Sequence, residues 1–363
     1  MYVDSTGDIA FVQEVYPVVL AQMDYFAARV ITNSSGGGGG PVNGLLLARE
    51  YTSFDDPLAY VQVQGGALNA FFVKSLVDAA YLAKILNDTS RATEFSASAT
   101  AIAQTFNTLL WNESMGSYNA GVLPSGRVLG PSVHAALLAL ERGLVPPERL
   151  ASVYAFFFAN FKNQGDFHCC SNTDTDAMIA SKAGVDFPVV YYWVFNVLFS
   201  QDSPTGDMEA LSEIRRRWGY MVANSPDIDT LWESFQDSES CHNYGSVPLH
   251  FLSTYVLGVR VTAPAYLGAL VVEPRLGDLS TASGVAVTEA GLVSVSWTVS
   301  QGLLSFTLDI PQGATSTTLR LAGGVQGTLV INGQTTPTTT DGRYVVATLG
   351  KGPGNFVGSV HTA

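Results

Sequence analysis

The apolar residues of this 363-residue chain change their spacing once, near residue 263. Before that point they recur at intervals of three and four, as at Ile9, Val12 and Tyr16, which gathers them on one face of an α-helix. Beyond it, β-branched and apolar residues alternate with polar ones, as in half-buried strands. The sequence therefore predicts a mainly α chain with two domains, a helical one over 1–262 and an antiparallel β domain over 263–363.

Turn-forming residues, among them Gly184, Pro204 and Gly206, divide the two patterns into elements. Helices are predicted over 9–30, over the two arms of an αα-hairpin at 68–86 and 95–109, and near 132–142, 147–160, 174–183, 187–199, 207–219 and 244–257. Strands are predicted over 269–273, 285–288, 292–299, 303–310, 316–321, 328–331 and 344–348. Their spacing of about ten residues suits a small sandwich.

Charge and apolar content exclude two classes of partner. The chain carries 18 Lys+Arg against 31 Asp+Glu, a net charge of −13 at pH 7, which repels a phosphate backbone, so nucleic acid is not expected. The longest apolar stretch, Phe187 to Phe199, is shorter than the roughly 18 to 20 residues that cross a bilayer, so no membrane partner is expected. The N-terminus lacks the basic and apolar regions of a secretory signal. This leaves two interpretations, an intracellular protein or a sequence whose beginning is missing.

Reactive side chains concentrate between Asp227 and His242, where five carboxylates, one histidine and one tryptophan share a connection between two helices. One interpretation is a solvated acidic loop, because runs of charge usually face water. The other is a sugar site, because aromatic rings stack on apolar sugar faces and carboxylates accept hydroxyl protons or activate water. Trp232 lies directly beside Glu233, and a tryptophan side chain is costly to leave exposed to water. This favours the second interpretation.

Two segments carry a resemblance to a known family. The runs RRWGYMVANSPDIDTLWESFQD and SCHNYGSVPLHFLSTYVLGVRVTAPAYLGALVVEP resemble the W-G-Y-M, T-x-W-E and S-x-H patterns of the α-L-rhamnosidases of glycoside hydrolase family 78. Upstream, TGDIAFVQEVYP, NGLLLAREYTSFDD, GALNAFFVKSLVDAAYLAKIL and LWNESMGSY look like the preceding segments of that family. The resemblance covers nearly the whole chain. It implies a six-hairpin (α/α)6 toroid followed by a β-sandwich, and an inverting hydrolysis of terminal α-L-rhamnosides.

The resemblance also implies roles for individual residues. Glu233 matches the general base, which draws a proton from the attacking water. Trp218, Trp232 and His242 match positions that line the sugar subsite. The pair formed by Asp55 and Asp56 lies where the family has an aromatic and an acidic residue near the sugar, so one of them is expected to contact substrate hydroxyls. The expected partner is a rhamnose-containing glycoside or polysaccharide, no cofactor is implied, and family members are expected outside the cell.

The general acid of the family has no match in this sequence. In the family it belongs to a D-G-x-x-R-D-R-x-x-W-x-G-D type segment that precedes the part resembling TGDIAFVQ, close to Met1 here. The sequence therefore predicts a toroid that is incomplete at its start, with an exposed apolar flank and possible self-association. Two alternatives to hydrolysis stay open at this point. One is a non-catalytic carbohydrate-binding remnant, and the other is a different toroid-fold enzyme, such as a polysaccharide lyase.

A metal site is a further alternative at Asp166-Phe-His168-Cys169-Cys170. A histidine and two adjacent cysteines rarely wrap one ion, and a fourth ligand would have to come from Cys241 or a distant carboxylate. Packed thiols, or one disulfide to Cys241, are favoured over a metal. The predicted site therefore contains no metal ligand.

Overall fold

Helices fill most of the chain before residue 259 and strands fill the chain after it, which confirms the predicted change from a helical to an antiparallel β region. The computed structural model describes residues 2–32, 43–49, 61–163, 185–224, 230–235, 242–262, 264–322 and 328–361. The predicted helix over 174–183 lies outside these residues. Among the described helices, none is long and apolar enough to cross a membrane.

The helices follow the predicted segments with shifted ends. The α-helices are α1 (Tyr2–Thr6), α2 (Ile9–Ala27), α3 (Gly66–Ile85), α4 (Thr89–Leu109), α5 (Val133–Glu141), α6 (Leu150–Asn160), α7 (Tyr191–Ser200), α8 (Pro204–Glu213), α9 (Gly219–Ala223) and α10 (Val247–Phe251). Single 3₁₀ turns occupy Pro147–Arg149, Pro188–Val190, Asn243–Ser246 and Ala265–Leu267, and π turns occupy Ile214–Trp218 and Leu252–Val256.

The start of α8 corrects the sequence prediction. The sequence predicts that Pro204 and Gly206 form a turn between helices, yet both lie in the first turn of this helix. The side chain of Ser203 caps the helix by accepting the N–H of Gly206 at 3.1 Å. Proline is favoured at the first helical position because its missing N–H has no partner there in any case. The helix therefore begins at residue 204 rather than near 207.

The predicted αα-hairpin is formed by α3 and α4, which pack against each other along their length. The chain reverses at Asn87, whose φ of +60° is left-handed, and Asp88 then caps α4 by accepting the N–H of Arg91 at 3.1 Å. The hydroxyl of Tyr16 on α2 donates to the other carboxylate oxygen of Asp88 at 3.1 Å. One aspartate therefore both starts α4 and holds α2 against the hairpin.

Five short strands accompany the helices in the part of the chain that the structure describes. They are β1 (Ala48–Arg49), β2 (Gln62–Gly65), β3 (Trp111–Asn112), β4 (Ser117–Tyr118) and β5 (Gly121–Val122). The strands β1, β2 and β5 form one antiparallel sheet, and β3 pairs with β4. The sequence analysis did not predict these strands because runs of two to four residues carry no measurable alternation.

The β region contains eleven described strands in two sheets. The strands are β6 (Val259–Val261), β7 (Ala269–Val272), β8 (Thr281–Thr288), β9 (Gly291–Ser300), β10 (Leu303–Ile310), β11 (Ser316–Ala322), β12 (Val330–Ile331), β13 (Gln334–Thr335), β14 (Thr339–Asp341), β15 (Tyr344–Gly350) and β16 (Gly354–His361). One sheet has the order β13-β12-β16-β10-β9-β8 and the other β14-β15-β11-β7-β6. Only β7 and β11 pair in parallel among these strands.

Alternating residues of both sheets fill one apolar core. Val295, Trp297 and Phe306 face it from the six-stranded sheet, and Leu270 and Leu319 face it from the five-stranded sheet. The sequence misses β16 because Gly354 and Gly358 weaken a strand pattern. Glycine is required at 358, since a Cβ there would lie 2.5 Å from Cζ of Phe306 on the paired strand.

Contacts divide the chain into two units that do not follow the predicted boundary after residue 262. One unit comprises 9–197 and 232–242, and the other comprises 1–8, 198–231 and 243–363. Within the second unit, Leu211 of α8 and Val256 share the core of the two sheets. Phe199 of α7 also stacks on Tyr255, with 4.4 Å between ring centroids. Helical residues before 262 therefore belong to the same packed body as the strands, although the period of the sequence changes only after them.

A carboxyl group is buried where α5 and α7 meet. Glu141 ends α5 with 8% of its side chain exposed, and it lies 2.8 Å from Nε of Arg142. Asn196 of α7 donates its amide N–H to Glu141 at 3.2 Å. Burial outweighs the lowering effects of Arg142, Asn196 and Lys74 and raises the pKa of the Glu141 carboxyl above its usual range.

Because Glu141 is buried, we expect the parent to lose stability as the pH rises. We expect Glu141→Gln to remove this pH dependence. A carboxyl whose pKa is raised by folding stabilises the fold while it is protonated, and that stability is lost as the pH rises from 4.5 through the folded-state pKa. We expect the melting temperature of the parent to fall relative to that of Glu141→Gln over this range, measured by circular dichroism. A difference that grows in favour of the parent as the pH rises would contradict the dominance of burial over the Arg142 ion pair.

Candidate active site

Glu233 lies in a short segment, 230–235, whose neighbouring side chains are buried. Trp232, Ser234 and Phe235 are exposed by 4, 8 and 5%, whereas the side chain of Glu233 is 20% exposed. The apolar burial on either side of Glu233 holds the backbone in place. Among residues 232–235, the Glu233 carboxylate is therefore the part that water can reach.

Phe235 attaches the segment to the start of α7. Its ring meets the ring of Tyr191 edge-on, with 5.6 Å between centroids, and its N–H donates to the carbonyl of Asp186 at 3.4 Å. Tyr191 is itself fully buried and packs edge-on against Phe195 one helical turn later. The sequence analysis did not single out Phe235 or Tyr191. The only sequence feature that could have identified them is the aromatic-rich composition of their segments.

An imidazole lies beside the Glu233 carboxylate. Nε2 of His242 is 3.4 Å from Oε2 of Glu233, and the two side chains are 32 and 20% exposed. The distance exceeds that of a short hydrogen bond, so the interaction is mainly electrostatic. A histidine can donate an N–H to a carboxylate in its neutral form and form an ion pair with it when protonated. The structure thus brings together two of the predicted site residues, which are nine positions apart.

Trp218 is placed by a distortion of its helix. It ends the π turn Ile214–Trp218, which interrupts the helical stretch between α8 and α9. Its indole Nε1 donates to the carbonyl of Gly245 at 2.6 Å. Directly before the turn, the fully buried carboxylate of Glu213 accepts a hydrogen bond from the Nε–H of Arg216 at 2.9 Å. Single π turns are frequent at functional sites because they displace a side chain from the regular helical position.

The two predicted tryptophans are largely buried in this structure. Trp218 and Trp232 are 8 and 4% exposed, so each presents little ring face to solvent. Stacking on a sugar needs an accessible ring face. Their role in lining a sugar subsite stays a prediction, and the structure shows them as packing residues of their segments. Trp218 belongs to one contact unit, and Trp232, Glu233 and His242 belong to the other.

The remaining predicted positions lie outside the described residues. These are Asp55 and Asp56, and also the alternative metal position at 166–170 together with Cys241. Among the residues that the structure describes, no group of three His, Cys, Asp or Glu side chains is arranged to hold a metal ion.

Comparison with known proteins shows a similarity to one family of domains. Residues 1–168 match the family model described as the bacterial alpha-L-rhamnosidase 6 hairpin glycosidase domain. The first 168 of the 363 residues are thus similar to this rhamnosidase domain family. This confirms the resemblance drawn from the sequence motifs. No curated protein matches the chain.

Three solved structures share the fold of this chain. A family 78 rhamnosidase of Bacillus sp. GL1 aligns with a TM-score of 0.71 and 23% identity, covering 88% of this chain and 32% of its own. The α-L-rhamnosidase of Dictyoglumus thermophilum aligns with a TM-score of 0.71 and 16% identity, covering 99% of this chain and 38% of its own. The Streptomyces avermitilis α-L-rhamnosidase, complexed with L-rhamnose, aligns with a TM-score of 0.59 and 18% identity, covering 98% of this chain and 31% of its own. The chain therefore spans about a third of the length of each.

The Trp218 indole predicts a measurable contribution to stability. Trp218→Phe leaves the buried carbonyl of Gly245 without its donor, which costs about 1–3 kcal/mol. Trp111→Phe is the matched control, because it removes an indole bond to Glu113 that is exposed to water. Urea unfolding should show a larger loss for Trp218→Phe than for Trp111→Phe. Equal losses would mean that the Gly245 bond does not fix the π turn.

Proposed function

We propose that the chain acts on terminal α-L-rhamnosides and that Glu233 is the general base of their hydrolysis. The observation that carries the proposal is the partly exposed Glu233 carboxylate beside His242, on a segment fixed by buried neighbours. A general base must be both accessible to water and held in one position. The family match and the L-rhamnose bound to the Streptomyces avermitilis relative support rhamnose as the sugar.

In the proposed reaction, Glu233 takes a proton from a water molecule as the water oxygen bonds to the anomeric carbon. The bond from that carbon to the leaving oxygen breaks, and the leaving oxygen takes a proton from the general acid on the opposite face of the sugar, a residue that has no match in this sequence. Attack opposite the leaving group inverts the anomeric configuration, and it needs two carboxyl groups about 6.5–9.5 Å apart. The products are free L-rhamnose and the shortened glycoside.

His242 would act on the base as well as on the sugar. With Nε2 3.4 Å from Glu233, its N–H is close enough to orient the carboxylate toward the water. We propose that Trp232 forms a wall of the sugar subsite and that Asp55 or Asp56 contacts sugar hydroxyls. The fold proposed for the protein is an (α/α)6 toroid followed by a β-sandwich, and we propose that it works outside the cell.

The leaving group determines how strongly the rate of hydrolysis depends on a general acid. The acid-bearing motif of the family has no match in the sequence, and loss of general acid catalysis lowers rates by about 10²–10⁴-fold. An aryl leaving group departs as a stable phenolate and needs little protonation. We therefore propose that aryl rhamnosides are turned over faster than alkyl rhamnosides by this chain.

The test is nitrophenol release from 4-nitrophenyl α-L-rhamnopyranoside by the parent and by Glu233→Gln. The substitution replaces a carboxylate oxygen by an amide group of the same size and removes the base. We expect kcat to fall by about 10²–10⁴-fold. Glu289→Gln is the matched control, because Glu289 lies in an exposed turn between two strands, and its kcat should equal that of the parent.

Three outcomes would change this proposal. Equal kcat in the parent and in Glu233→Gln would exclude Glu233 as the base. A folded parent that binds L-rhamnose without turnover would favour the non-catalytic carbohydrate-binding protein. A product that absorbs in the ultraviolet as an unsaturated sugar would indicate a lyase.

A further inference from the structure

The six-stranded sheet carries a set of hydroxyl groups that face away from its core. Residues alternate along β9 and β10, so that Trp297 and Phe306 face the core and their sequence neighbours face solvent. The neighbours are Ser296, Thr298, Ser305 and Thr307, and Ser359 joins them from β16. Together these five residues are called the hydroxyl face below.

The strand register places the members of the hydroxyl face side by side. Ser296 pairs with Thr307, Thr298 pairs with Ser305, and Ser305 pairs with Ser359. Paired side chains on neighbouring strands lie about 4.5–5.5 Å apart. Equatorial hydroxyls on sugar ring carbons two positions apart recur on a similar scale, so a bound glycan could contact several members at once.

The hydroxyls of this face are not used by the fold. Within the described residues, none of the five side chains makes a hydrogen bond to another protein group. By contrast, Thr281 at the edge of the same sheet donates its hydroxyl to the carbonyl of Trp297 at 3.0 Å. Each free hydroxyl offers one donor and two acceptor positions to a ligand.

The face also borders a shallow, open hollow with uncharged walls. It lines a hollow of about 390 Å³, whose other walls include the apolar side chains of Val330 and Val357. No charged residue lines this hollow among the described residues, although the chain as a whole carries a net charge of −13. An uncharged hollow with free hydroxyls and apolar walls suits a neutral polyhydroxylated ligand and gives no attraction to ionic ones.

We propose that the hydroxyl face is a second carbohydrate-binding site, which holds a neutral glycan chain on the β region. It would bind a segment of the polysaccharide from which terminal sugars are removed elsewhere on the chain. The inference rests on the proposed function only for the choice of glycan. Binding here involves no covalent step, and it does not require Glu233.

The test is native gel electrophoresis of the full chain in gels that contain a neutral α-L-rhamnan or, separately, polygalacturonate. We expect the rhamnan to retard the parent and the acidic polygalacturonate not to retard it. Thr298→Val combined with Thr307→Val removes two hydroxyls of the face while keeping β-branched side chains of the same shape. This double variant should raise the apparent dissociation constant for rhamnan by about tenfold or more.

Two controls make the result specific. Thr318→Val combined with Thr348→Val removes a cross-strand threonine pair from the other sheet and should leave the retardation unchanged. Glu233→Gln should also be retarded like the parent, since the proposed base lies outside the hydroxyl face. Melting temperatures of all variants show whether each one is folded.

A parent that rhamnan does not retard would overturn the proposal, as would a folded Thr298→Val/Thr307→Val variant retarded like the parent. Retardation lost in Glu233→Gln but kept in the threonine variant would place all glycan binding at the proposed active site. Failure of the proposed function is distinguishable from these outcomes, since it would abolish nitrophenol release and leave the retardation of the parent intact.

Discussion

The burial of Trp232 and Phe235 on either side of Glu233 is the constraint on which the candidate site depends. A carboxylate on an unsupported connection would sample many positions and lose the orientation that general base catalysis needs. Here the flanking rings are nearly excluded from water, and Phe235 is held against α7 by Tyr191. Burial of these neighbours leaves Glu233 as the accessible group and brings it within 3.4 Å of His242.

Charged groups are rare in this chain, and several are placed inside it as ion pairs. Arg275 is 6% exposed and lies 2.7 Å from Asp202 and 3.0 Å from Glu273. Asp207, on the first turn of α8, lies 3.7 Å from the same guanidinium, and burial raises the pKa of its carboxyl. A buried charge without a partner would cost several kcal/mol, roughly. These pairs therefore fix how α8 meets the sheets within their common contact unit.

Much of the fold could be predicted from the spacing of apolar residues, because burial of one face imposes that spacing directly. The αα-hairpin and most of the long strands follow from it. Pro204 shows where such reasoning fails. Proline breaks a helix in its interior but is favoured at the first helical position, so the residue type alone does not fix where the helix begins. Gly358 shows a second failure, because only contacts with neighbouring strands, the Phe306 ring and the Val330 carbonyl, explain a glycine inside β16.

The candidate site was less predictable than the fold. The T-L-W-E pattern identified Glu233 by resemblance, and the structure adds the contact with His242, which no local pattern encodes because the two residues are nine positions apart. The sequence indicated that Trp232 is costly to expose, but it did not predict that Trp218 and Trp232 both present little ring face to solvent. A tryptophan beside a carboxylate suits a sugar platform and a packing anchor equally well, and only tertiary contacts distinguish the two.

The most direct test of the account is a crystal structure of the chain with L-rhamnose. The account predicts that the sugar lies in contact with Glu233 and His242, with its anomeric carbon on the side of the Glu233 carboxylate. Rhamnose bound with neither side chain in contact would contradict the assignment of this pair as the centre of the site.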